Sequence, residues 1–217
     1  MKALSREVEI EPLHTALLFV DVQNFNCSWE GGEYAHLNRE EKERRYGYFF
    51  RVLEQTALPN MVRLQRACRA GRIEVTYTVV ESMTADGRDR SLDYKITGFH
   101  VPRGSSDAKM VDDLAPVGDE MVFPKTSSSV FISTNIDYVL RNLGIRYLII
   151  AGCLTDQCVD SAVRDACDLG YLVTVPTDAV LTQSQERHDW SLRNNRGYCR
   201  QCATQQLIDE ITRLTRK

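Results

Sequence analysis

The chain has 217 residues, of which 43% are hydrophobic and 26% charged, and its formal net charge at pH 7 is −3. This length suits one medium-sized domain with a substantial core, so we predict a single domain over residues 1–217. A weakly acidic chain lacks the basic surface needed to bind nucleic acid or an anionic membrane, and neither partner is expected.

Two further features indicate where the protein works. Residues 1–11 lack the apolar core of a signal peptide, and no apolar run reaches membrane-spanning length. The seven cysteines are an odd number and follow no short, regular disulfide framework. Together these features predict reduced thiols and a cytoplasmic location.

The first predicted strand covers residues 15–23, a continuous apolar run of the kind that parallel sheets bury on both faces. Asp21 interrupts this run near its end. A buried carboxylate is costly unless it is paired or hydrogen-bonded. Asp21 is therefore either a strand-end residue that accepts hydrogen bonds from turn N–H groups or a functional group.

The loop predicted over residues 24–37 follows this strand, at the sheet edge where open α/β proteins bind ligands. By position alone, four residues in this loop or directly before it are candidates for contact with a substrate: Gln23, Phe25, Asn26 and Trp29. A charged helical face over residues 38–45 and a helix over residues 58–70 follow.

A β-branched run over residues 74–80 predicts the second strand. The next segment, residues 81–106, shows no clear period and is too long for a plain connection, so it is either functional or a surface excursion. Its candidates for substrate contact are Glu81, Arg88, Arg90 and Tyr94. Arg88 and Arg90 would suit a bidentate clamp on a substrate carboxylate, unless both are solvated loop charges.

Lys125 comes just past a short predicted strand over residues 121–123, in a position where a lone lysine is usually a surface residue. Further helices are predicted over residues 135–143, 184–194 and 203–215, and a further strand over residues 171–175.

Cys158 lies where a short apolar strand, residues 147–151, gives way to a helical stripe. Thr155 is a candidate N-cap, and Asp156 suits the positive end of a helix. A thiol in a first helical turn is expected to favour the thiolate, which is the nucleophile. Two alternatives stay open: Cys158 as a small buried hydrophobe, and a disulfide between Cys153 and Cys158.

Strands that alternate with helices predict a mostly parallel sheet covered by helices on both faces. Asp21, Lys125 and Cys158 then all fall at carboxyl ends of strands. Such a set supports acyl transfer: Cys158 attacks a carbonyl, Asp21 moves the proton, and Lys125 keeps Asp21 charged or stabilises developing charge. The backbone N–H groups of Leu154 and Cys158 are candidates for an oxyanion hole.

These motifs resemble those of the isochorismatase-like cysteine hydrolases, over roughly residues 15–179. The matching positions are residues 17–23; Pro124, Lys125, Ser129, Val130, Phe131 and Thr134; and residues 152–159 with Ala162, Ala166, Gly170, Tyr171, Asp178 and Ala179. The resemblance implies a three-layer αβα sandwich with a mostly parallel six-stranded sheet. It also implies an Asp21–Lys125–Cys158 triad, a thioester intermediate, a cis peptide between Cys153 and Leu154, and a homo-oligomer, either a dimer or a tetramer.

Departures from the family pattern narrow the expected function. Nicotinamidases of this superfamily carry a metal site built on Asp-x-His after the second strand, but residues 80–84 contain no histidine. We therefore expect no metal and no cofactor. True isochorismatases lack the cysteine nucleophile that is present here.

The sequence thus predicts a cysteine amidohydrolase that cleaves a C–N bond of a small amide or ureide and releases ammonia. Candidate substrates are N-carbamoyl, ureidoacrylate-like, biuret-like or maleamate-like compounds. The alternatives are an isochorismatase-type vinyl ether hydrolase, a nicotinamidase, and a non-enzymatic partner protein that kept the fold.

Overall fold

A computed structural model describes residues 5–216. The predictions for residues 1–11 and for a domain over residues 1–217 extend over residues 1–4 and 217, and so fall partly outside the described residues. The strands are β1 (Thr15–Val20), β2 (Glu74–Val80), β3 (Met121–Lys125), β4 (Tyr147–Cys153), β5 (Leu172–Pro176), β6 (Val180–Leu181) and β7 (Cys199–Cys202). The helices are α1 (Asn24–Cys27), α2 (Arg39–Val52), α3 (Leu58–Ala70), α4 (Leu92–Thr97), α5 (Val130–Ser133), α6 (Ile136–Asn142), α7 (Cys158–Asp168), α8 (Gln185–Asn195) and α9 (Thr204–Thr215).

The strands form one parallel sheet with the order β3-β2-β1-β4-β5-β7, and β6 pairs with β4. The sheet therefore has seven strands, and the expected count of six is wrong by this one short strand. The additional strand arises because β4 pairs with two different strands along its length. The first three residues of β4 pair with β5, whereas Gly152 and Cys153 pair with Val180 and Leu181 of β6.

Helices cover both faces of the sheet, as predicted, because side chains of a strand point alternately to opposite faces. On one face Leu17 and Phe19 join a hydrophobic core built with α2, α3 and α9. On the other face Ala16, Leu18 and Val20 join a core built with α6 and α7. Burial on both faces explains why β1 is apolar throughout.

Helix α3 spans the predicted residues 58–70, and α6, α8 and α9 begin and end within one residue of their predictions. The segments predicted as loops contain additional structure. Residues 24–37 hold α1 and a 3₁₀ turn, Gly32–Tyr34. Residues 81–106 hold α4, which the Ser91 side chain caps by accepting the Tyr94 N–H and which ends at Gly98 in a left-handed conformation. Among residues 5–216, no helix is both long and apolar enough to cross a bilayer.

Candidate active site

Asp21 follows β1 directly and is held in an unusual backbone conformation, with a positive φ of 53°. Its N–H donates to the Thr78 carbonyl of the neighbouring strand at 3.1 Å. The Thr78 hydroxyl donates to Asp21 Oδ1 at 2.7 Å. These contacts fix a buried carboxylate at the carboxyl edge of the sheet.

Lys125 is the last residue of β3, and its side chain is fully buried. Its Nζ lies 2.8 Å from Asp21 Oδ2 and 3.4 Å from Cys158 Sγ, and it donates to the Ser127 carbonyl at 2.8 Å. Burial by itself lowers the pKa of Lys125, but the Asp21 carboxylate, with smaller contributions from Cys158 and Tyr94, raises it, and the net shift is upward. Lys125 is therefore a charged ammonium paired with Asp21.

Cys158 is the first residue of α7. Burial raises the pKa of its thiol to about 11; the Lys125 ammonium lowers the pKa, whereas the Asp21 carboxylate raises it. The sequence predicts that the helix terminus favours the thiolate, whereas burial acts in the opposite direction and raises the pKa. Cys158 holds its proton near neutral pH and must pass it to a base before it can attack.

The segment before α7 differs from its predicted capping pattern. Gln157, not Thr155, occupies the N-cap position, and no side chain caps the helix there. The Thr155 hydroxyl instead contacts His188 Nδ1 at 3.1 Å. Asp156 forms an ion pair with Arg187, with 2.5 Å between Oδ2 and Nε. Both residues thus attach this turn to α8.

The two N–H groups predicted for the oxyanion hole are positioned by the end of β4. The peptide bond between Cys153 and Leu154 is cis, as the family resemblance implies. Gly152 has φ +118°, and a Cβ on it would lie 2.2 Å from the Val20 carbonyl oxygen, so only glycine fits here. Within residues 5–216, neither the Leu154 N–H nor the Cys158 N–H has an acceptor, as an oxyanion hole would require.

A cavity of about 410 Å³ opens onto these groups, a size that suits a small-molecule ligand. Asp21, Cys158 and Leu154 are among its lining residues. The remaining lining residues come from the segment after β1, from α2, from the segment around α4, from the ends of β2 and β4, and from the segments after β3, β4 and β6: Gln23, Asn26, Glu33, Tyr34, Phe49, Val80, Asp93, Tyr94, Thr97, Phe99, Ser128, Cys153, Gln157 and Gln183.

Comparison with known proteins identifies the family. The sequence profile of the isochorismatase domain matches residues 15–206. The ureidoacrylate amidohydrolase RutB of Rhizobium rhizogenes (strain K84) is 30% identical over 195 residues, which cover 82% of this chain and 75% of that protein. This chain belongs to the isochorismatase family.

Solved structures of isochorismatase-like hydrolases share the fold. A cysteine hydrolase from Pseudomonas syringae pv. phaseolicola 1448A superimposes with a TM-score of 0.80 at 22% identity, over 99% of this chain and 100% of that one. An N-carbamoylsarcosine amidase from Thermoplasma acidophilum superimposes with a TM-score of 0.64 at 22% identity, over 88% of this chain and 96% of that one. The mostly parallel sheet with helices on both sides is thus the isochorismatase-like fold.

Three of the predicted substrate contacts line the cavity: Gln23, Asn26 and Tyr94. The Gln23 amide is fully engaged with the backbone of Val80 and Asp107, so it shapes the site. Asn26 donates to Cys153 Sγ at 3.4 Å, while its Oδ1 has no partner within residues 5–216. Tyr94 places its hydroxyl 3.9 Å from Cys158 Sγ.

Three other candidates lie outside the cavity lining. Phe25 packs edge-on against Phe99 behind the wall of the cavity. Trp29 stacks on Phe50 and lines a separate surface depression. Glu81 accepts a hydrogen bond from the Gly104 N–H at 2.7 Å.

The two arginines also lie outside the lining. Arg88 has a side chain that is 72% exposed and pairs with Asp86. Arg90 donates to the Gly87 and Phe99 carbonyls at 2.8 and 3.0 Å, and so holds the loop around α4. The structure does not bring the proposed carboxylate clamp together, since both guanidinium groups already have partners on the protein.

Several lining residues did not emerge from the sequence, notably Glu33, Asp93, Phe49 and Gln183. The available signal for Glu33 was its position after a Gly31–Gly32 break in the loop that follows β1. Asp93 lies in the long segment whose length already suggested function. Among the described residues 5–216, no group of three or more His, Cys, Asp or Glu side chains is arranged to hold a metal ion.

Proposed function

We propose that the protein is a cysteine-dependent amidohydrolase that cleaves a C–N bond of a small amide or ureide through an acyl-enzyme on Cys158. The observation that carries this proposal is the contact of Lys125 Nζ with both Asp21 Oδ2, at 2.8 Å, and Cys158 Sγ, at 3.4 Å, beside a cavity. Named relatives agree with it: RutB is called a ureidoacrylate amidohydrolase, and a structural neighbour is an N-carbamoylsarcosine amidase.

The first half-reaction forms the thioester. Cys158 Sγ attacks the substrate carbonyl carbon as Asp21 takes the thiol proton, which the raised pKa of Cys158 requires. The developing oxyanion accepts hydrogen bonds from the Leu154 and Cys158 N–H groups. When the tetrahedral intermediate collapses, the C–N bond breaks and Asp21 returns the proton to the departing nitrogen, which leaves as ammonia.

The second half-reaction releases the acyl group. A water attacks the thioester carbonyl while Asp21 accepts its proton, and the C–S bond breaks. The sulfur leaves as a thiolate and takes from Asp21 the proton that came from the water, which restores the resting site. Lys125 remains charged throughout, because Asp21 holds its pKa high. Its role is to keep the buried carboxylate ionised and close to Cys158.

The test is ammonia release from a panel of small primary amides and ureides. Cys158→Ala is expected to reduce turnover by about a thousandfold or more, as removal of a catalytic nucleophile does. Cys167→Ala is the matched control, because Cys167 lies on the same helix but does not line the cavity.

Turnover that survives Cys158→Ala would contradict the proposal and favour the ether-hydrolase alternative, which needs no thioester. The single-domain organisation, the homo-oligomer and the cytoplasmic location stay predictions.

A further inference from the structure

We propose that the substrate carries a positive charge at the end remote from its scissile carbonyl, and that Glu33 and Asp93 are its counter-charges. This inference rests on the proposed function and names its substrate class: an amide or ureide with an ammonium or amidinium group.

The charge balance of the cavity is the first argument. Asp21 is neutralised by Lys125, and Cys158 holds its proton. Two further carboxylates line the cavity, Glu33 and Asp93, and neither forms an ion pair within residues 5–216. Within residues 5–216, no lysine, arginine or histidine is among the lining residues. Carboxylates without a counter-ion in a confined site attract a cation and repel an anion, and a bound cation favours the charged form of Glu33.

The environment of Glu33 is the second argument. Burial raises the pKa of this carboxyl to about 7, while the neighbouring Tyr34 hydroxyl lowers it. A carboxylate in this position is destabilised because it has lost water without gaining a counter-ion. A bound cation supplies that counter-ion. Asp93 lies on the exposed first turn of α4, whereas Glu33 is largely buried. The cavity therefore has one carboxylate that is open to solvent and one that is shielded from it.

The uncharged lining is the third argument. Four aromatic side chains line the same cavity: Tyr34, Phe49, Tyr94 and Phe99. Aromatic faces beside carboxylates are the surroundings that alkylammonium groups prefer. Asn26, which is 9% exposed, adds an Oδ1 without a partner in residues 5–216, an acceptor for a ligand N–H.

This substrate class differs from that of a named relative. Ureidoacrylate, in the name of the Rhizobium rhizogenes relative, is a carboxylate. Here Arg88 and Arg90, the arginines that would bind a carboxylate, are engaged elsewhere. The same reaction is therefore directed to a differently charged molecule.

Charge-matched thiol reagents test the inference without any substrate. Methanethiosulfonates with a 2-aminoethyl or a 2-sulfonatoethyl group react alike: the Cys158 thiolate attacks the sulfenyl sulfur, an S–S bond forms, and methanesulfinate leaves. Labelling of Cys158 is followed by peptide mass mapping, with Cys158→Ala as the background for the other six cysteines. The ratio of the cationic to the anionic rate is divided by the same ratio for N-acetylcysteine.

We expect this normalised ratio to exceed about ten, which corresponds to one charged hydrogen bond or ion pair in a confined site. Glu33→Gln is expected to lower it several-fold, and Asp93→Asn to lower it less. Glu30→Gln makes the same chemical change outside this cavity and should leave the ratio unchanged. A normalised ratio of one or below, or a ratio that Glu33→Gln does not lower, overturns the inference.

A substrate series separates this inference from the proposed function. β-Alaninamide, butyramide and succinamate have similar lengths but a positive, neutral and negative remote end. We expect kcat/KM to fall in that order. If succinamate is the best substrate and its turnover is lost in Cys158→Ala, the charge inference fails and the proposed function stands. If turnover survives Cys158→Ala, the proposed function fails, whatever the labelling ratio shows.

Discussion

The floor and the wall of the cavity are built in different ways. The floor consists of Asp21 and Cys158 together with the buried Lys125 that contacts both of them; Asp21 follows β1, Lys125 ends β3 and Cys158 begins α7. The wall consists of Glu33, Asp93, Tyr94 and Phe99, placed by a 3₁₀ turn, a six-residue helix and the short segment after that helix. Strand ends in a parallel sheet are held by backbone hydrogen bonds to neighbouring strands, whereas connecting segments vary more freely. The floor therefore sets the reaction, and the wall selects the molecule.

The two regions also differ in their charges. On the floor the charges cancel within one buried ion pair with 2.8 Å between its atoms. On the wall two carboxylates have no counter-ion within residues 5–216. Substitutions on the floor are therefore expected to change rate and stability together. Substitutions on the wall are expected to change substrate preference with little effect on stability.

Asp21→Asn is expected to have the largest effect of the variants below. An amide cannot take the Cys158 proton, so kcat should fall by about 10²–10⁴-fold. The variant also leaves the Lys125 ammonium buried without its partner, which typically costs about 3–5 kcal/mol of folding stability. Ammonia release and urea unfolding measure the two effects.

The matched control for this variant is the double variant Asp21→Asn with Lys125→Met. Removal of both charges should recover most of the lost stability, because a neutral pair has no uncompensated charge. Activity should stay lost. Equal stability of Asp21→Asn and the wild type would contradict the ion-pair description of the floor.

Thr78→Val is expected to have an intermediate effect. The Thr78 hydroxyl donates to Asp21 Oδ1 at 2.7 Å and positions the carboxylate without touching the reacting atoms. Its loss should lower kcat about tenfold with little change in KM, because the carboxylate that takes the Cys158 proton is held less firmly in place.

Thr76→Val is the control for this positioning role. Thr76 is equally buried on the same strand, and its hydroxyl donates to the Leu17 carbonyl at 3.0 Å, away from Asp21. Thr76→Val should affect stability to a similar degree while kcat stays close to that of the wild type. A matching loss of kcat in Thr76→Val would show that strand packing, and not the position of Asp21, causes the effect.

Arg88→Ala is expected to have the smallest effect. Arg88 is exposed and pairs with Asp86 outside the cavity, so kcat/KM should stay within about twofold of the wild type, as expected for surface substitutions. Steady-state kinetics on the best amide of the panel provide the check. A large increase in KM specific to an anionic amide would restore the arginine clamp and weaken the distinction between floor and wall.

The sequence predicted the floor far better than the wall, for a physical reason. Apolar runs mark buried parallel strands, and a charged or nucleophilic residue at the end of such a run is visible as an exception to the pattern. Asp21, Lys125 and Cys158 were all found in this way. The protonation state of Cys158 was not, because it depends on burial by residues distant in the sequence.

The wall depends on short elements with weak sequence signals. Helix α4 has six residues and is defined by its Ser91 cap and its Gly98 terminus more than by apolar periodicity. The same limit applies outside the wall: strands β6 and β7 have two and four residues, which are too few for a recognisable alternation of apolar and polar residues. Glu33 reaches the cavity only because a 3₁₀ turn follows Gly31. The positions of these short elements depend on tertiary contacts, which the local sequence does not reveal.

The central claim is a covalent acyl-enzyme on Cys158, and trapping that intermediate tests it most directly. The protein is mixed with its best amide substrate, quenched in acid within milliseconds and analysed by intact mass and peptide mapping. We expect the mass of the protein to increase by that of the acyl group. The added group should lie on the peptide that contains Cys158 and should be absent from Cys158→Ala. Rapid ammonia release with no adduct on Cys158, or an adduct on another cysteine, would contradict it.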